Sequence, residues 1–231
     1  MLQRRIFIAT PLASALLSVG FSAYAQRVTD TFADTFDTLA KPVPVALDSA
    51  KGEKTEIRQF FAYWCNHCAN LEPSMFKWEK TMPKSFKLVR TPVAFQPNQK
   101  GLATLFYVLD TLPNSADLHL AVFSAIHNTR ILNPNATEDQ LRAFAIKTLN
   151  VPKDTVDAAW SSFGIQTKLR QSSTVLETYD INGIPAFVVQ GRYQTSPARI
   201  ANSKLGVGLR SAALYDVMFK EIERAALATA S

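Results

Sequence analysis

Two cysteines separated by two residues are the side chains of this sequence best suited to chemistry. Cys65 and Cys68 are the only cysteines in the 231-residue chain, and a Cys-x-x-Cys pair is typical of thiol–disulfide exchange. A structural disulfide at this spacing would close a loop of about four residues and would stabilise the fold by only about 2 kcal/mol. The spacing therefore favours a redox role over a structural one.

A metal site is the other chemistry that these cysteines could serve. Zinc takes about four ligands, and besides the cysteines the chain offers three histidines, His67, His119 and His127. We expect His119 and His127 to be ordinary residues of a helical stretch. A c-type haem would need a histidine directly after Cys68, where Ala69 stands. Metal binding and a structural role stay open as minor alternatives, and we expect no metal and no cofactor.

The residues around the pair predict how it is held. The run from Ile57 to Tyr63 is rich in β-forming residues and predicts a buried strand that ends at Trp64. Helical spacing begins at Cys65 and stops at Thr81-Met82-Pro83. The first cysteine is therefore expected at the start of a helix, directly after a strand.

A thiol at the start of a helix is expected to ionise readily. Free backbone N–H groups and the helix macrodipole favour an anion there, so the pKa of Cys65 should fall below the value of about 8.5 of a free thiol. His67, when protonated, would add a positive charge beside the same sulfur. Cys68 lies one turn further into the helix and should be more buried. These positions predict Cys65 as the exposed nucleophile and Cys68 as the resolving thiol.

The first 25 residues have the pattern of a secretory signal peptide. Arg4 and Arg5 precede an apolar stretch, and Ala23-Tyr24-Ala25 is a small-x-small cleavage site. The apolar stretch is short for a membrane span and is interrupted by polar residues, so we predict cleavage rather than an uncleaved anchor. Paired arginines occur in both Sec and twin-arginine signals, and the export route stays open.

The composition of the mature chain, 26–231, is that of one folded domain with room for an inserted subdomain. Hydrophobic residues make up 47% of the sequence and glycines number eight, which argues against a disordered or fibrous protein. The basic residues are scattered and form no stripe that could follow a phosphate backbone, so nucleic acid is not expected as a partner.

Three segments of the chain resemble the DsbA family of periplasmic disulfide oxidoreductases. The run Phe60–Cys68 resembles the family's active-site strand and helix, Val156–Phe163 the end of its helical insertion, and Gly183–Gln194 its second active-site loop with the strands after it. The segments follow one another in the family's order and spacing. The likeness runs through most of 40–228.

The resemblance implies a fold of the α/β class, a thioredoxin fold with an inserted all-helical subdomain. The thioredoxin-like domain would comprise residues 26–96 and 164–231, and the helical insertion residues 97–163. We expect residues 26–40 and 226–231 to be loosely held ends.

The periodicity of the sequence independently predicts the same succession of elements. It indicates helices from Pro97 to Tyr179, one of which begins at a cap-like Thr137, and a last helix over Leu209–Ala225. It also indicates five strands. These are Val43–Leu47, Thr55–Ala62, Phe86–Ala94 and a hairpin of Ala186–Gln190 with Arg192–Thr195.

The resemblance also implies an activity and its partners. The chain would introduce disulfide bonds into exported proteins in the periplasm, acting on unfolded or extended proteins that carry cysteine thiols. A membrane partner of the DsbB type would reoxidise it, and the mature chain would be a monomer. Ile184 and Pro185 match a loop with a cis-proline that faces the cysteines and offers backbone groups to the substrate.

Two positions depart from the best-known members of that family. Asn66 replaces a proline, and Gln59 replaces a buried acid. In those members the acid has a lysine neighbour, which aligns with Arg90, and a histidine neighbour, which aligns with Pro92. Without that acid, we expect proton handling through water or His67. A disulfide reductase or isomerase, and a chaperone-like binding module without redox turnover, remain alternatives.

Overall fold

The computed structural model describes residues 32–43 and 54–229. Within these residues five strands form one mixed sheet, with the order β1-β5-β4-β2-β3. Strand β2 runs parallel to β3 and antiparallel to β4, and β5 runs antiparallel to both β4 and β1. The strands are β1 (Asp37–Thr38), β2 (Thr55–Phe61), β3 (Phe86–Pro92), β4 (Ala186–Val189) and β5 (Tyr193–Thr195).

Helix α1 follows β2, five helices lie between β3 and β4, and two follow β5. This order confirms the predicted thioredoxin fold with a helical insertion. Among the described residues no helix has both the length and the apolar character needed to cross a membrane. The helices are α1 (Asn66–Thr81), α2 (Lys100–Leu109), α3 (Ser115–His127), α4 (Glu138–Lys147), α5 (Lys153–Trp160), α6 (Phe163–Thr178), α7 (Pro197–Ala201) and α8 (Ser211–Thr229).

Most predicted elements are confirmed to within a few residues. The hairpin of β4 and β5 turns through Gln190 and Gly191, which both have positive φ values, as a type I′ turn requires. Helix α4 begins after Thr137, whose hydroxyl accepts from the Gln140 N–H, while the Gln140 side chain accepts from the Thr137 N–H. This reciprocal capping box is what the cap-like threonine predicted.

Two predictions about the chain ends were wrong in the part that the structure describes. Phe32 and Phe36 are buried against Tyr193, and β1 pairs with β5, so residues 32–40 are held in the sheet and core. Helix α8 continues to Thr229, with Ala226 buried. Local sequence could not show this, because the burial comes from residues distant in the chain.

Some predictions lie outside the described residues. The signal peptide over 1–25 lies there, and so does the predicted strand Val43–Leu47 except for Val43, which is not in a strand. The division into a thioredoxin-like domain and an insertion over 97–163 also stays a prediction. Helix α6, which begins at the last residue of the predicted insertion, packs against α2 inside that insertion. The hydrophobic core therefore continues across the predicted boundary after residue 163.

The core has two main parts, and the active-site helix contributes to both. Leu71 and Met75 of α1 pack with α8 and the sheet. Cys68, at the start of the same helix, instead packs with Phe61, Tyr63 and the helices of the insertion. The start of α1 is therefore fixed between the sheet and the insertion.

The capping box of α4 leads to a stability prediction. Replacing Thr137 by alanine removes the side-chain acceptor for the Gln140 N–H, and we expect the free energy of unfolding to fall by about 1 kcal/mol. Urea unfolding of the mature chain measures this. Thr137→Ser keeps the hydroxyl and should stay close to the parent, and equal losses in both variants would contradict the capping explanation.

Candidate active site

Cys65 is the N-cap residue of helix α1, as the sequence predicted. Its backbone is extended, with φ −83 and ψ 115, and its Sγ accepts a hydrogen bond from the Cys68 N–H at 3.2 Å. The Cys65 N–H donates to the carbonyl oxygen of Ala62 at 3.1 Å, which closes the turn between β2 and the helix. The first sulfur therefore lies among N–H groups that no helical carbonyl uses.

The surroundings of Cys65 favour its thiolate. A hydrogen bond from the Cys68 thiol does most to lower the pKa of Cys65, burial opposes it, and the backbone N–H groups of Cys68 and His67 lower it further. The net result is a pKa of about 7. A substantial fraction of Cys65 is therefore ionised at neutral pH.

Cys68 has the opposite environment. It is 0% exposed, and burial raises its pKa most, followed by its hydrogen bond to Cys65, the charge of Cys65 and the charge of Glu72. The prediction that Cys68 is the more buried thiol is confirmed. The description of Cys65 as exposed was wrong, because only 6% of that residue is accessible beside the loop before β4.

That loop contains Ile184 and Pro185 and lies directly against Cys65. The peptide bond between the two residues is cis, and the carbonyl oxygen of Ile184 lies 3.7 Å from Cys65 Sγ. Among the described residues nothing accepts a hydrogen bond from the Ile184 N–H. The loop therefore presents backbone groups next to the reactive sulfur.

The sequence suggested that His67 acts on Cys65 through a charged imidazole, but the contribution seen in the structure comes from its backbone N–H. Its side chain is exposed, while its backbone N–H is among the groups that lower the pKa of Cys65. The imidazole lines a cavity of about 550 Å³ that continues past Pro185 to Leu214 and Tyr215. Ile184 of the cis-proline loop lines the same cavity.

Sequence reasoning missed a buried acid beneath the pair. Glu72 is 1% exposed, and it accepts a hydrogen bond from the Gln59 amide at 3.3 Å and one from Arg90 at 3.2 Å. Position 59 is not acidic, and the buried acid near the pair lies on α1 instead; proton handling through water or His67 stays a prediction. A glutamate four residues after Cys68, on the buried face of the helix, was the available signal.

His119 and His127 lie in helix α3, as predicted, but they are not ordinary helix residues, because both make polar contacts with the residues around the active-site turn. His119 is buried, with Nδ1 2.9 Å from the Tyr63 hydroxyl and Nε2 3.2 Å from Glu72 Oε1. The Glu72 contact has ion-pair distance without the alignment of a hydrogen bond. His127 Nε2 donates to the carbonyl oxygen of Tyr63 at 2.7 Å. Both histidines thus connect the insertion to the turn before Cys65.

Glu72 is ionised in this setting. Burial alone would raise the pKa of its carboxyl group, but attraction to the nearby His119 and Arg90 and the hydrogen bond from Gln59 lower the pKa to about 2. The cluster thus places a fixed negative charge in the core. Within the described residues, no group of three or more His, Cys, Asp and Glu side chains could hold a metal ion.

The pKa of Cys65 leads to a prediction about alkylation. In the reduced protein the alkylation rate of Cys65 should rise with pH around a midpoint near 7, since only the thiolate reacts. Cys68→Ala removes the strongest donor to that thiolate and should move the midpoint upward, toward about 8.5. Cys68→Ser keeps a hydroxyl donor and should move it less. Iodoacetamide labelling followed by mass spectrometry measures all three, and a parent midpoint at the free-thiol value would contradict the arrangement.

Comparison with known proteins connects this geometry to a family. The chain is 34% identical over 217 residues to the thiol:disulfide interchange protein DsbA of Burkholderia cepacia, covering 92% of this chain and 96% of that protein. It is 33% identical over 197 residues to the DsbA of Bordetella parapertussis, covering 85% and 90%. No protein-family model matches the chain.

A solved structure extends the likeness to the whole fold. The crystal structure of a variant of Pseudomonas aeruginosa DsbA aligns with a TM-score of 0.67 at 26% identity, covering 83% of this chain and 96% of that one. Together with the cysteine pair at the start of α1 and the cis-proline loop beside it, these similarities show that the chain belongs to the DsbA family of thiol:disulfide interchange proteins.

Proposed function

We propose that this chain introduces disulfide bonds into exported proteins by dithiol–disulfide exchange at Cys65 and Cys68. The observation that carries the proposal is the contrast between the two thiols. Cys65 has a lowered pKa at a helix N-cap, and the buried Cys68 has a raised one. Membership of the DsbA family supports the same chemistry.

The exchange takes two steps. A substrate thiolate attacks Cys65 Sγ of the oxidised enzyme, a substrate–Cys65 disulfide forms, and Cys68 leaves with the electron pair and takes up a proton. A second substrate thiolate then attacks the substrate sulfur of that mixed disulfide and releases Cys65 as a thiolate. The substrate loses two electrons, which reduce the cysteine pair of the enzyme.

The direction of exchange follows from the stability of the Cys65 thiolate. Whatever stabilises the reduced enzyme makes its disulfide a stronger oxidant, and the donors to Cys65 act on the reduced form. An oxidase is therefore favoured over a reductase or isomerase. Because Asn66 stands between the cysteines in place of the proline of the best-known family members, the redox potential of the pair has to be measured.

The Ile184–Pro185 loop is proposed as the binding site for an extended substrate. The unpaired Ile184 N–H supports this role, since an extended chain can pair with it and gain affinity with little demand on its sequence. Side chains next to the substrate cysteine would enter the cavity that Ile184, Pro185 and His67 line. His67, at the edge of this cavity, would act on Cys65 mainly through its backbone N–H.

The setting proposed for this activity is the periplasm, reached by cleavage of the predicted signal peptide. Substrates would be unfolded or extended exported proteins with free thiols, and a membrane protein of the DsbB type would reoxidise the Cys65–Cys68 pair. The proposed enzyme acts as a monomer, with residues 97–163 as a helical insertion between 26–96 and 164–231.

The decisive activity test uses a reduced, unfolded protein as substrate. The oxidised chain should restore its native disulfides, and Cys65→Ser should lose nearly all of this activity because no sulfur remains to be attacked. Cys68→Ser should accumulate a mixed disulfide at Cys65, visible on a non-reducing gel. A chaperone-like module would instead keep its activity in Cys65→Ser.

The redox potential separates an oxidase from a reductase. We expect equilibration with glutathione to give a value well above that of thioredoxin, which is about −270 mV. The lowered pKa of Cys65 is the physical reason. A measured potential at the thioredoxin value would contradict the oxidase proposal while leaving thiol exchange intact.

The proposed role of His67 predicts a small effect of its imidazole. His67→Ala keeps the backbone N–H and loses only an exposed, solvent-screened side chain, so the alkylation midpoint of Cys65 should rise by less than it does in Cys68→Ala. A larger rise in His67→Ala would assign the thiolate stabilisation to the imidazole instead.

A further inference from the structure

Glu72 is a buried charge that the exchange described above leaves without a role. It lies four residues after Cys68 on α1, and side chains at this spacing are neighbours on one face of a helix. Its carboxylate is held by Gln59 of β2, Arg90 of β3 and His119 of α3. Four elements of the fold thus place a negative charge one helical turn from the second thiol.

We propose that Glu72 is a positioning residue whose charge adds to the burial of Cys68 in keeping that thiol protonated, and so slows the closure of Cys68 onto a mixed disulfide at Cys65. We further propose that His119 limits this effect, because its Nε2 lies 3.2 Å from Glu72 Oε1 and turns a ring N–H dipole toward that carboxylate. The inference rests on the exchange chemistry of the proposed function. In this proposal the buried charge belongs to Glu72 on α1, with His119 of the insertion beside it, and not to the residue at position 59.

The closure step is the point at which this charge acts. The Cys68 thiol loses its proton to solvent, and its sulfur attacks Cys65 Sγ. The bond from Cys65 to the partner sulfur breaks, and the partner leaves as a thiolate with the electron pair. The closure rate follows the ionised fraction of Cys68, since the attacking group is the thiolate. A nearby negative charge lowers that fraction.

This control has a consequence for turnover. When the partner is a substrate, closure of Cys68 onto Cys65 returns the substrate in its reduced form and wastes the encounter. A slow closure gives the second thiol of the substrate more time to resolve the mixed disulfide. Glu72 would therefore favour completed oxidation over release.

Other charged and titratable groups surround this pair and could contribute. Arg90 also binds Glu79, a half-buried residue of α1. Tyr63 contacts His119, and burial raises the pKa of Tyr63 well above its ordinary value. The groups that face Cys68 and Glu72 from the packed elements are Cys65 and Glu79 on α1, Tyr63 after β2, Arg90 on β3, and His119 and His127 on α3.

Glu72→Gln is a suitable variant because it removes the charge and keeps the shape. The new amide oxygen can accept from Arg90. The new amide nitrogen can donate to Gln59 after a flip of that side chain, since Gln59 Oε1 is buried and lacks a hydrogen-bond partner within the described residues. We therefore expect this variant to fold.

The test measures ring closure directly. Reduced enzyme reacts with oxidised glutathione to form the Cys65–glutathione disulfide, and the release of glutathione as Cys68 closes is followed at pH 7. Glu72→Gln should close about threefold to tenfold faster than the parent, the range expected for a charge one helical turn away. His119→Phe, which fits the surrounding aromatic rings, should close more slowly.

Glu79→Gln is the matched control. It removes the other acid bound to Arg90, but it lies nearly two further turns from Cys68, so its closure rate should stay within about twofold of the parent. A purely structural role of the cluster would move Glu72→Gln and His119→Phe in the same direction. Equal rates in Glu72→Gln and the parent, or shifts of one sign in both variants, would overturn the proposal.

A second measurement separates this inference from the proposed function. In a Cys65→Ser background, the initial alkylation rate of Cys68 at fixed pH reports its ionised fraction without any exchange reaction. Glu72→Gln should raise that rate by the same factor as closure, and an unchanged rate would overturn the role of Glu72 even in a working oxidase. Conversely, a raised alkylation rate of Cys68 in Glu72→Gln would support the role of Glu72 even if the chain failed to oxidise proteins. If His119→Phe fails to fold, the closure rate and the Cys68 alkylation rate of Glu72→Gln still decide the role of Glu72, because both must rise by the same factor.

Discussion

The structure depends on the junction at which strand β2 ends and helix α1 begins. Cys65 caps the helix with its sulfur, so the group that satisfies the helix N-terminus is also the group that reacts. The cap favours the thiolate because the N–H groups of the first turn have no helical acceptors. The sheet, the insertion and the cis-proline loop all serve to hold this junction in place.

The insertion makes polar as well as apolar contacts with the active-site helix and the turn before it. Its helix α3 supplies His119 to the Glu72 carboxylate and His127 to the Tyr63 carbonyl, and both contacts lie close to the turn before Cys65. An ionised carboxylate in a core is stable only when donors surround it. The active-site helix and the insertion are therefore bound to each other by a polar requirement in addition to apolar packing.

The two thiols differ because the same helix places them in two environments. Cys65 lies at the start of the helix, beside the cis-proline loop, where the Ile184 carbonyl oxygen is 3.7 Å from its sulfur. Cys68 lies one turn inside, where burial and nearby negative charge disfavour its ionisation. This difference orders the reaction, since the sulfur that ionises readily is attacked and released, while the other returns only to close the ring.

The sequence determined the features that depend on neighbours along the chain. The Cys-x-x-Cys spacing, the strand before it, the helix that begins at Cys65 and the capping box at Thr137 all rest on short-range periodicity and hydrogen bonding. The cis-proline loop came from resemblance, because the sequence around Pro185 has no local feature that requires the cis form.

Only the tertiary structure decided the features that depend on residues far apart in the chain. It buried Phe32 and Phe36 against Tyr193, left Cys65 with little accessible surface, and joined Glu72 to Arg90 and His119. A glutamate on a helix face is exposed in most proteins, and nothing local shows that Gln59, Arg90 and His119 will surround this one. Its charge lies one helical turn from Cys68 because the sheet and the insertion meet at the same turn of α1, and that meeting is a property of the fold.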